Sequence, residues 1–231
     1  MTISNFRRPA RQRAGTSRPP RALKLVSRAL KLVSACQDLV LASADEQSLL
    51  DKTCHAIVNV AGHRCAWVGY AAAHAQGAHQ PVCPVAQVGL HGEMAGLSNL
   101  LRAHPHEELV GAAISRGTRF VANRLSTSRE FAASRDIAAR LGVASGAAFP
   151  LTVNGQVAGA MGIYSARPDA FDADELDLLD RIARLVSCGL LNIRLREERD
   201  LLRLRMERAL YFDALTVLPN YLHFEARLRE Q

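Results

Sequence analysis

Residues 146–165 read GAAFPLTVNGQVAGAMGIYS, an uncharged and largely apolar stretch of the length that a membrane span needs. Pro150 and the Asn154-Gly155 pair interrupt this stretch near its middle. Asn-Gly between two apolar runs is a strong short-range signal for a β-hairpin. The stretch therefore predicts two antiparallel strands, over 146–153 and 156–165. With no other candidate span and no export signal, the sequence predicts a cytoplasmic protein without membrane contact.

Helices and strands are predicted on both sides of the hairpin. Asp45 begins a helix with acids in its first turn, which Gly62 ends. Apolar runs predict three further strands, and apolar spacing with a following glycine predicts two short helices. The predicted strands cover 65–72, 82–90 and 119–122, with a turn near Gln76-Gly77, and the helices cover 108–115 and 129–141. Asp172 begins a last helix, which reaches about Tyr211 and is roughly 60 Å long.

The last helix carries a 3–4 apolar spacing, which is typical of a coiled-coil seam. The seam residues are Leu176, Leu179, Ala183, Val186, Leu190 and Ile193. The next two seam positions hold Glu197 and Asp200, and apolar residues resume out of register at Leu201, Leu202 and Leu204. Such a phase break changes the local winding of the helix. It predicts either a solvated helix end or a transmission element that exchanges two packing registers.

A perfect duplication lies near the N-terminus, where residues 21–27 and 28–34 both read RALKLVS. A seven-residue repeat places Leu23 with Leu30, and Val26 with Val33, on one stripe of a helix. The stripe predicts an amphipathic helix that packs on a neighbouring helix. We expect a parallel homodimer in which residues 23–41 and 176–193 combine in one bundle.

Positive charge is concentrated at the N-terminus. Residues 1–37 hold nine basic side chains and no acidic one, whereas the remainder holds 20 basic and 22 acidic side chains. Residues 1–20 are rich in Arg, Pro and Ser, which predicts a solvated, disordered tail. A phosphate-binding arm is the alternative, but no aromatic residue follows Phe6 among the arginines to stack on bases. Nucleic acid is therefore not an expected partner.

The cysteines and histidines do not predict a metal site. The five cysteines form no C-x-x-C pair and fit no zinc spacing, and an odd, scattered set suits reduced thiols in the cytosol. His104-Pro105-His106 has no nearby cysteine and carboxylate set. We expect no bound metal, and no motif identifies a cofactor.

The order of these elements, together with several short motifs, resembles a GAF sensor domain from about Leu39 to Arg196. The motifs are DEQSLL at 45–50, AGHRCAWVG at 61–69, Pro150-Leu151, Tyr164-Ser165 and PDAFD at 168–172. The resemblance implies an α+β fold: an antiparallel sheet of about five to six strands, helices on both faces and a long C-terminal helix. One face would cover a small-molecule cavity, and the other would pack the first and last helices, often in a dimer.

The GAF resemblance implies a cavity between residues 119 and 149. An apolar pocket with a few polar contacts is the usual composition of such a site. The sequence shows no motif for cyclic-nucleotide binding and no cysteine in 128–142 for a covalent pigment. For each candidate, core packing or surface solvation is the alternative to ligand binding. The candidate ligand-binding residues are Trp67, Asn123, Phe131, Arg135 and Phe149.

Residues 212–220, FDALTVLPN, followed by Phe224 and Leu228, resemble the opening of a GGDEF domain, the family that makes cyclic di-GMP. The family has Gly where this chain has Val217, and Arg where it has Tyr221. No GG[DE]EF motif is present, and two-metal phosphoryl chemistry needs the carboxylates of that region. We therefore expect a truncated GGDEF start without catalytic residues and without cyclase activity.

Five segments follow from these patterns. They are a disordered basic tail (1–20), an amphipathic helix (21–44), a GAF-like sensor (45–171), a helical linker (172–211) and the GGDEF start (212–231). A non-catalytic sensor is the first hypothesis. The alternative is a thiol enzyme, similar to the GAF proteins that reduce free methionine sulfoxide, in which Cys65 and Cys83 approach each other from adjacent strands. A regulator that uses its basic tail on nucleic acid is the third hypothesis.

Overall fold

The computed structural model of the protein describes residues 21–71, 82–90, 92–103, 108–212 and 220. Within these residues six α-helices, one short 3-10 turn (Ala132–Ser134) and five strands are formed. In chain order the helices and strands are α1 (Arg21–Ala42), α2 (Glu46–Asn59), β1 (Cys65–Ala71), β2 (Val82–Val88), α3 (Met94–Ala103), α4 (Leu109–Arg116), β3 (Phe120–Ala122), α5 (Arg135–Leu141), β4 (Ser145–Val153), β5 (Gln156–Ser165) and α6 (Ala173–Tyr211).

The five strands form one antiparallel sheet in the order β2-β1-β5-β4-β3. The β4–β5 hairpin lies in its centre and turns at Asn154 and Gly155, both of which have positive φ, 52° and 74°. A two-residue turn with positive φ at both positions matches the twist of the flanking strands, which is why Asn-Gly is favoured there. The predicted hairpin is confirmed.

Helices cover both faces of the sheet. Side chains alternate along β4, so that Ala147, Phe149 and Leu151 contact the core beneath α1, α2 and α6. Ala148, between them, contacts the second core beneath α3, α4 and α5. Each core buries apolar side chains on a separate face, and the predicted α+β fold with a five-stranded antiparallel sheet is confirmed.

Side-chain caps fix the starts of two helices as the sequence predicts. Asp45 accepts a hydrogen bond from the Ser48 backbone N–H at 2.7 Å, and Asp172 accepts one from the Glu175 N–H at 2.9 Å. Such caps satisfy backbone donors that have no partner within the helix. The predicted ends of the long helix are confirmed, since α6 spans 39 residues.

The first part of the α6 seam packs inside the chain. Leu179, Ala183, Val186, Leu190 and Ile193 are buried in the core that α6 shares with the sheet, α1 and α2. The pairing of residues 23–41 with 176–193 thus forms between α1 and α6 of one chain. From Leu195 onward the large apolar side chains of α6 are exposed. The phase break in the sequence marks the place where the helix leaves the domain.

Most of the duplicated stripe of α1 points away from the core. Leu23 and Leu30 are 58% and 66% exposed, and Val26 is exposed as well, whereas Val33 packs partly against the core. Leu32, in the second copy of the repeat, and Cys36 are buried, because α1 turns this other face toward α2 and α6. The helix is confirmed, but its buried face does not follow the predicted stripe.

Two elements differ from the sequence predictions. Helix α3 was not predicted, because Gly92 and Gly96 obscure the apolar spacing of Leu97, Leu100 and Leu101. The helix predicted over 129–141 is shorter, since the α-helical part begins only at Arg135 after a 3-10 turn. The predicted turn at Gln76-Gly77, the basic tail 1–20, the histidines at 104 and 106 and most of 212–231 lie outside the described residues.

Candidate ligand-binding cavity

A cavity of about 30 Å3 lies between the sheet and helices α3, α4 and α5. This is room for one or two water molecules. Its wall is apolar except at Ser134 and at one corner, where Glu108 and Tyr164 line the cavity beside Trp67. The remaining lining residues are Leu90, Leu97, Leu100, Leu109, Leu125, Ser134, Ile137, Ala138, Leu141 and Val143.

A hydrogen bond connects two side chains at the polar corner. The Tyr164 hydroxyl donates to Glu108 Oε1, and Trp67 lies beside Tyr164. Glu108 Oε2 accepts from the backbone N–H groups of Val110, at 2.7 Å, and Gly111, at 3.3 Å. Glu108 is therefore the N-cap of α4, although it is only 3% exposed.

Glu108 is an unusual choice for this cap. Ser, Thr, Asp and Asn are the preferred N-cap residues, because a short side chain reaches the first turn most easily. The longer glutamate satisfies the first turn of α4 with one oxygen and presents the other to Tyr164 and the cavity. Capping α4 therefore uses only one of the two Glu108 oxygens, and the second faces Tyr164 and the cavity.

Burial changes the acid–base properties of this corner. Burial raises the pKa of the Glu108 carboxyl above its ordinary value, although the hydrogen bonds from Tyr164, Val110 and Gly111 act in the opposite direction. The pKa of Tyr164 is raised well above its ordinary value, first by burial and then by the adjacent Glu108. Both groups thus favour their uncharged forms more than they would in water.

Two glycines allow the close packing of this corner. A Cβ on Gly162 would lie 2.6 Å from Val110 Cγ2 and 3.1 Å from Trp67 Nε1. A Cβ on Gly146 would lie 2.7 Å from both Leu109 Cδ1 and Tyr164 Cδ1. Both positions therefore need a residue without a side chain, and this lets α4 lie directly on the sheet.

An ion pair joins the two helices on the outer side of the cavity. Arg140, in α5, binds Glu93, just before α3, with 2.9 Å between Nε and Oε2. Nearby, Arg64 donates from Nε to the Leu141 carbonyl oxygen at 3.2 Å and so connects the end of α5 with the start of β1. The ion pair connects α5 to the start of α3, and the Arg64 bond connects α5 to β1.

The structure distributes the five sequence-predicted site residues over different places. Trp67 lines the cavity. Phe131 is buried in the same core, edge-on to Phe120 with ring centroids 6.3 Å apart, and Arg135 donates to the Ser128 carbonyl oxygen at 2.5 Å. Asn123 bonds both the N–H and the C=O of Phe171, at 3.1 Å each, and so positions the chain before α6.

Phe149 lies on the opposite face of the sheet, in the core beneath α1, α2 and α6, so it does not line this cavity. Glu108 and Tyr164 are the polar residues that the sequence reasoning missed. Glu108 was recognised only as part of a helix start, and Tyr164 only as part of a family motif. An acidic residue directly before an apolar helix and an aromatic hydroxyl in an apolar strand were the available signals.

The cysteine arrangement of the thiol-enzyme hypothesis is wrong. β1 and β2 are antiparallel, and Cys83 lies opposite Tyr70, five residues along β1 from Cys65. At about 3.3 Å per residue the two cysteines are roughly 17 Å apart. Cys65 is also buried, which raises the pKa of its thiol to about 12, whereas Cys83 is exposed. The pair cannot form a disulfide, and at Cys65 the effect of burial outweighs the charge of Arg64, which acts in the direction of activation.

On the other face of the sheet, polar clusters connect α6 to the rest of the domain. Arg28 of α1 binds Glu175 in the first turn of α6, and His63 Nε2 lies 2.9 Å from the other carboxylate oxygen of Glu175. Farther along, Arg194 of α6 binds Glu46 of α2, at 2.5 Å and 3.3 Å. The helix is thus attached near both ends of its buried part.

The described residues contain no group of three His, Cys, Asp or Glu side chains arranged for a metal ion. Among the same residues, no helix has the length and apolar character that crossing a membrane requires.

Solved structures share this fold. The free methionine-R-sulfoxide reductase of Neisseria meningitidis, in complex with its substrate, is 13% identical, with a TM-score of 0.57 over 73% of this chain and 91% of that chain. The GAF domain of an Acinetobacter phosphoenolpyruvate-protein phosphotransferase is 15% identical (TM-score 0.55, 72% and 94%). The GAF domain of A. aeolicus Nlh2 in an inactive state is also 15% identical (0.53, 74% and 99%). At these identities the likeness concerns the fold.

No curated protein matches the sequence. GAF domains are in general sensory, non-catalytic modules, although some of the similar structures are enzymes. The model of the GAF domain family matches residues 43–190, which is more than half of the chain. This protein therefore belongs to the GAF domain family.

Proposed function

We propose that this chain is a cytoplasmic, non-catalytic sensor that binds a small molecule in the cavity beside Glu108 and transmits the binding through α6. The buried Glu108–Tyr164 pair at the edge of an apolar cavity is the observation that carries the proposal. An apolar pocket with a few convergent polar groups and shifted pKa values is the usual composition of a binding site.

Strand β5 provides the path from the cavity to α6. Tyr164 lies on its cavity side, while Met161 and Ile163 are buried in the core that contains α6. Residues 123 and 169–171 provide a second path, since Asn123 holds the backbone of Phe171 immediately before α6. A displacement of β5 or of this loop would act directly on the start of the helix.

The exposed part of α6 supports the proposal of a parallel homodimer. Leu195, Leu202 and Met206 follow a 4-3-4 spacing with Arg199 between them, and all are exposed. Glu198, Arg203 and Glu207 flank this row with charges of both signs. Leu23, Val26 and Leu30 extend an exposed apolar surface along α1. A second copy would bury both rows.

The proposed output is a GGDEF domain that makes cyclic di-GMP, and the support is the resemblance of residues 212–220 to the opening of that domain. Asn220, the last residue of the motif, donates from Nδ2 to the Leu210 carbonyl oxygen at 2.7 Å. Its backbone N–H donates to the Tyr211 carbonyl oxygen at 2.8 Å. Both bonds satisfy carbonyls that the helix end leaves without an intrahelical partner, so Asn220 is bonded directly to the end of α6.

The proposal assigns one task to each segment. Residues 21–44 and 172–211 form the dimer and transmit, residues 45–171 sense, and residues 212–231 begin the output domain. Residues 1–20 are proposed as a solvated tail.

A chimera tests the signalling proposal. Residues 1–220 are joined to the remainder of a GGDEF domain from an active diguanylate cyclase, and cyclic di-GMP formation from GTP is measured. Ala138→Leu, which fills the cavity, should change the rate, whereas Ala139→Leu, at the exposed neighbouring position, should not. Equal rates for both variants and the parent chimera would contradict a sensing cavity coupled to this output.

A further inference from the structure

The charge of Glu108 is not balanced within the described part of the protein. Its oxygens accept hydrogen bonds from Tyr164, Val110 and Gly111, which are neutral donors. No Lys, Arg or His among the described residues is bonded to it. The neighbouring titratable groups are Tyr164 on β5 and, beyond it, Cys65 on β1, and neither supplies a positive charge.

The lining from the other elements is equally uncharged. On α5 the cavity residues are Ile137, Ala138 and Leu141, and on α3 they are Leu97 and Leu100. A buried carboxylate without a cation is costly, so this site favours either a protonated Glu108 or a cation that enters with the ligand.

Glu108 Oε1 accepts a hydrogen bond from Tyr164, and Oε2 accepts from Val110 and Gly111. Because Glu108 lines the cavity and none of its donors carries a positive charge, it suits a ligand that brings a cationic donor. The face of an indole also attracts cations, and Trp67 lines the same corner. A ligand that combines a cationic N–H donor with an apolar body would complement both the corner and the leucine-rich wall.

We infer that the ligand is a small apolar amine, whose ammonium group binds Glu108 and whose hydrocarbon part packs among α3 and α5. The inference rests on the proposed sensory function and specifies the ligand class of the same cavity. The bound ammonium replaces the carboxyl proton, which leaves to solvent.

The size of the cavity adds a mechanical consequence. At about 30 Å3 it holds one or two water molecules, so an amine with several carbons must move α3 or α5 outward. Separating α3 from α5 in this way would break the Glu93–Arg140 ion pair. Because the pair is largely exposed, breaking it costs little, and it does not prevent entry.

Calorimetric titration of the full chain tests the ligand class. The probes are isobutylamine and 2-phenylethylamine, each compared with its neutral counterpart, isobutanol and 2-phenylethanol. At pH 7.5 we expect at least one amine to bind about tenfold more tightly than its alcohol, because hydrogen bonds to charged groups are the stronger ones. Glu108→Gln should remove this preference, so that each amine and its alcohol bind with similar affinity.

A second measurement uses the unsubstituted protein. The amine titration is repeated, at each pH, in two buffers that buffer at that pH, contain no primary amine and differ in ionisation enthalpy, and the difference in heat should show proton release on binding. Burial raises the pKa of Glu108, so this release should be larger at pH 6 than at pH 9. Amine binding without proton release at either pH would overturn the exchange at Glu108.

The outcomes separate the two proposals. In one outcome, alcohols bind as tightly as amines and lose this binding in Ala138→Leu. That result would contradict the amine ligand class and would still support the cavity as the sensory site. Amine binding that persists unchanged in both Glu108→Gln and Ala138→Leu would place the ligand elsewhere and overturn both. If none of the four probes binds, the proposed amine ligand is wrong. The response of the chimera to Ala138→Leu would then show whether the cavity is a sensory site.

Discussion

Arg28 on α1 binds the carboxylate of Glu175 in the first turn of α6, although the two residues are 147 positions apart. The same guanidinium donates to the Ala61 carbonyl oxygen at 2.9 Å, and His63 contacts the other carboxylate oxygen. Three segments therefore meet at Glu175: the first helix, the loop before β1 and the last helix. The contact holds the two terminal helices together where α6 begins.

Glu175→Gln should destabilise the protein by about 1–3 kcal/mol, because it leaves the partly buried Arg28 without its counter-charge. The free energy of unfolding is measured by urea titration. Asp174→Asn is the matched control, since Asp174 lies in the same helical turn but is exposed. An equal loss in the two variants would show that only the helix dipole, and not the contact, is involved.

Glu108→Gln should change the pH dependence of stability. The folded pKa of Glu108 is raised above the unfolded value, so its favourable contribution is complete below the unfolded pKa and is lost as pH rises through the folded pKa. Glutamine keeps an acceptor for the α4 cap and has no charge to bury. We expect the variant and the wild type to be similar at pH 4, and the variant to be relatively more stable at pH 8.

Urea unfolding at both pH values measures this difference. Glu130→Gln is the control, because Glu130 is exposed and paired only at 3.6 Å with Arg116. A Glu108→Gln variant that is less stable than the wild type at pH 8 would mean that the ionised carboxylate is already well stabilised in the empty cavity.

Gly159→Ala should destabilise the sheet by about 1–3 kcal/mol. A Cβ at this position would lie 2.4 Å from the Gly69 backbone oxygen and 2.5 Å from Tyr70 Cδ1. A backbone atom cannot move aside without disturbing the β1–β5 pairing.

Gly96→Ala provides the comparison. Its Cβ would meet the ends of the Glu93 and Arg140 side chains, at 3.2 Å and 3.3 Å, and these can shift. Alanine is favoured over glycine in a helix by roughly 1 kcal/mol, so this variant should be as stable as the wild type or more so. Thermal unfolding of both variants measures the contrast, and similar losses of stability would contradict it.

Leu202→Glu should weaken the proposed homodimer by on the order of 100-fold. Two copies would each bring a carboxylate into an apolar seam and lose a buried leucine, worth about 1.5–3 kcal/mol per chain. Sedimentation at tens of micromolar measures the association. Leu204→Glu is the control, because Leu204 is exposed but lies off the row of Leu195 and Leu202. A monomeric wild type would contradict the dimer itself.

The sequence predicted those elements that begin or turn at residues with a strong local conformational or capping preference. Asn154-Gly155 fixed the hairpin because few other residues accept positive φ at both positions. Asp45 and Asp172 fixed helix starts because a cap is a contact within four residues. Helix α3 was missed because its apolar spacing is interrupted by glycines.

The site depends on long-range pairing, and this explains why most of it was not predicted. The polar corner forms because Trp67 on β1 and Tyr164 on β5 meet Glu108 at the start of α4. Which face of β4 points to the cavity depends on register, so Ala148 lies on the cavity side and Phe149 on the other. Aromatic size alone predicts Phe149 as a cavity residue, whereas in the structure Phe149 fills the opposite core.

Helix α6 is a core element up to Ile193 and a solvent-exposed rod from Leu195 to Tyr211. From Ile193 to Tyr211 the helix extends roughly 27 Å at 1.5 Å per residue. A tilt of about 5° at Ile193 would therefore move the end of the rod by about 2 Å, more than half the spacing between hydrogen-bonded atoms. In the proposed sensor, the domain surface would act as the fulcrum of a lever, so that core movements too small to disturb packing would become large enough at the end of α6 to change the orientation of the residues bonded there.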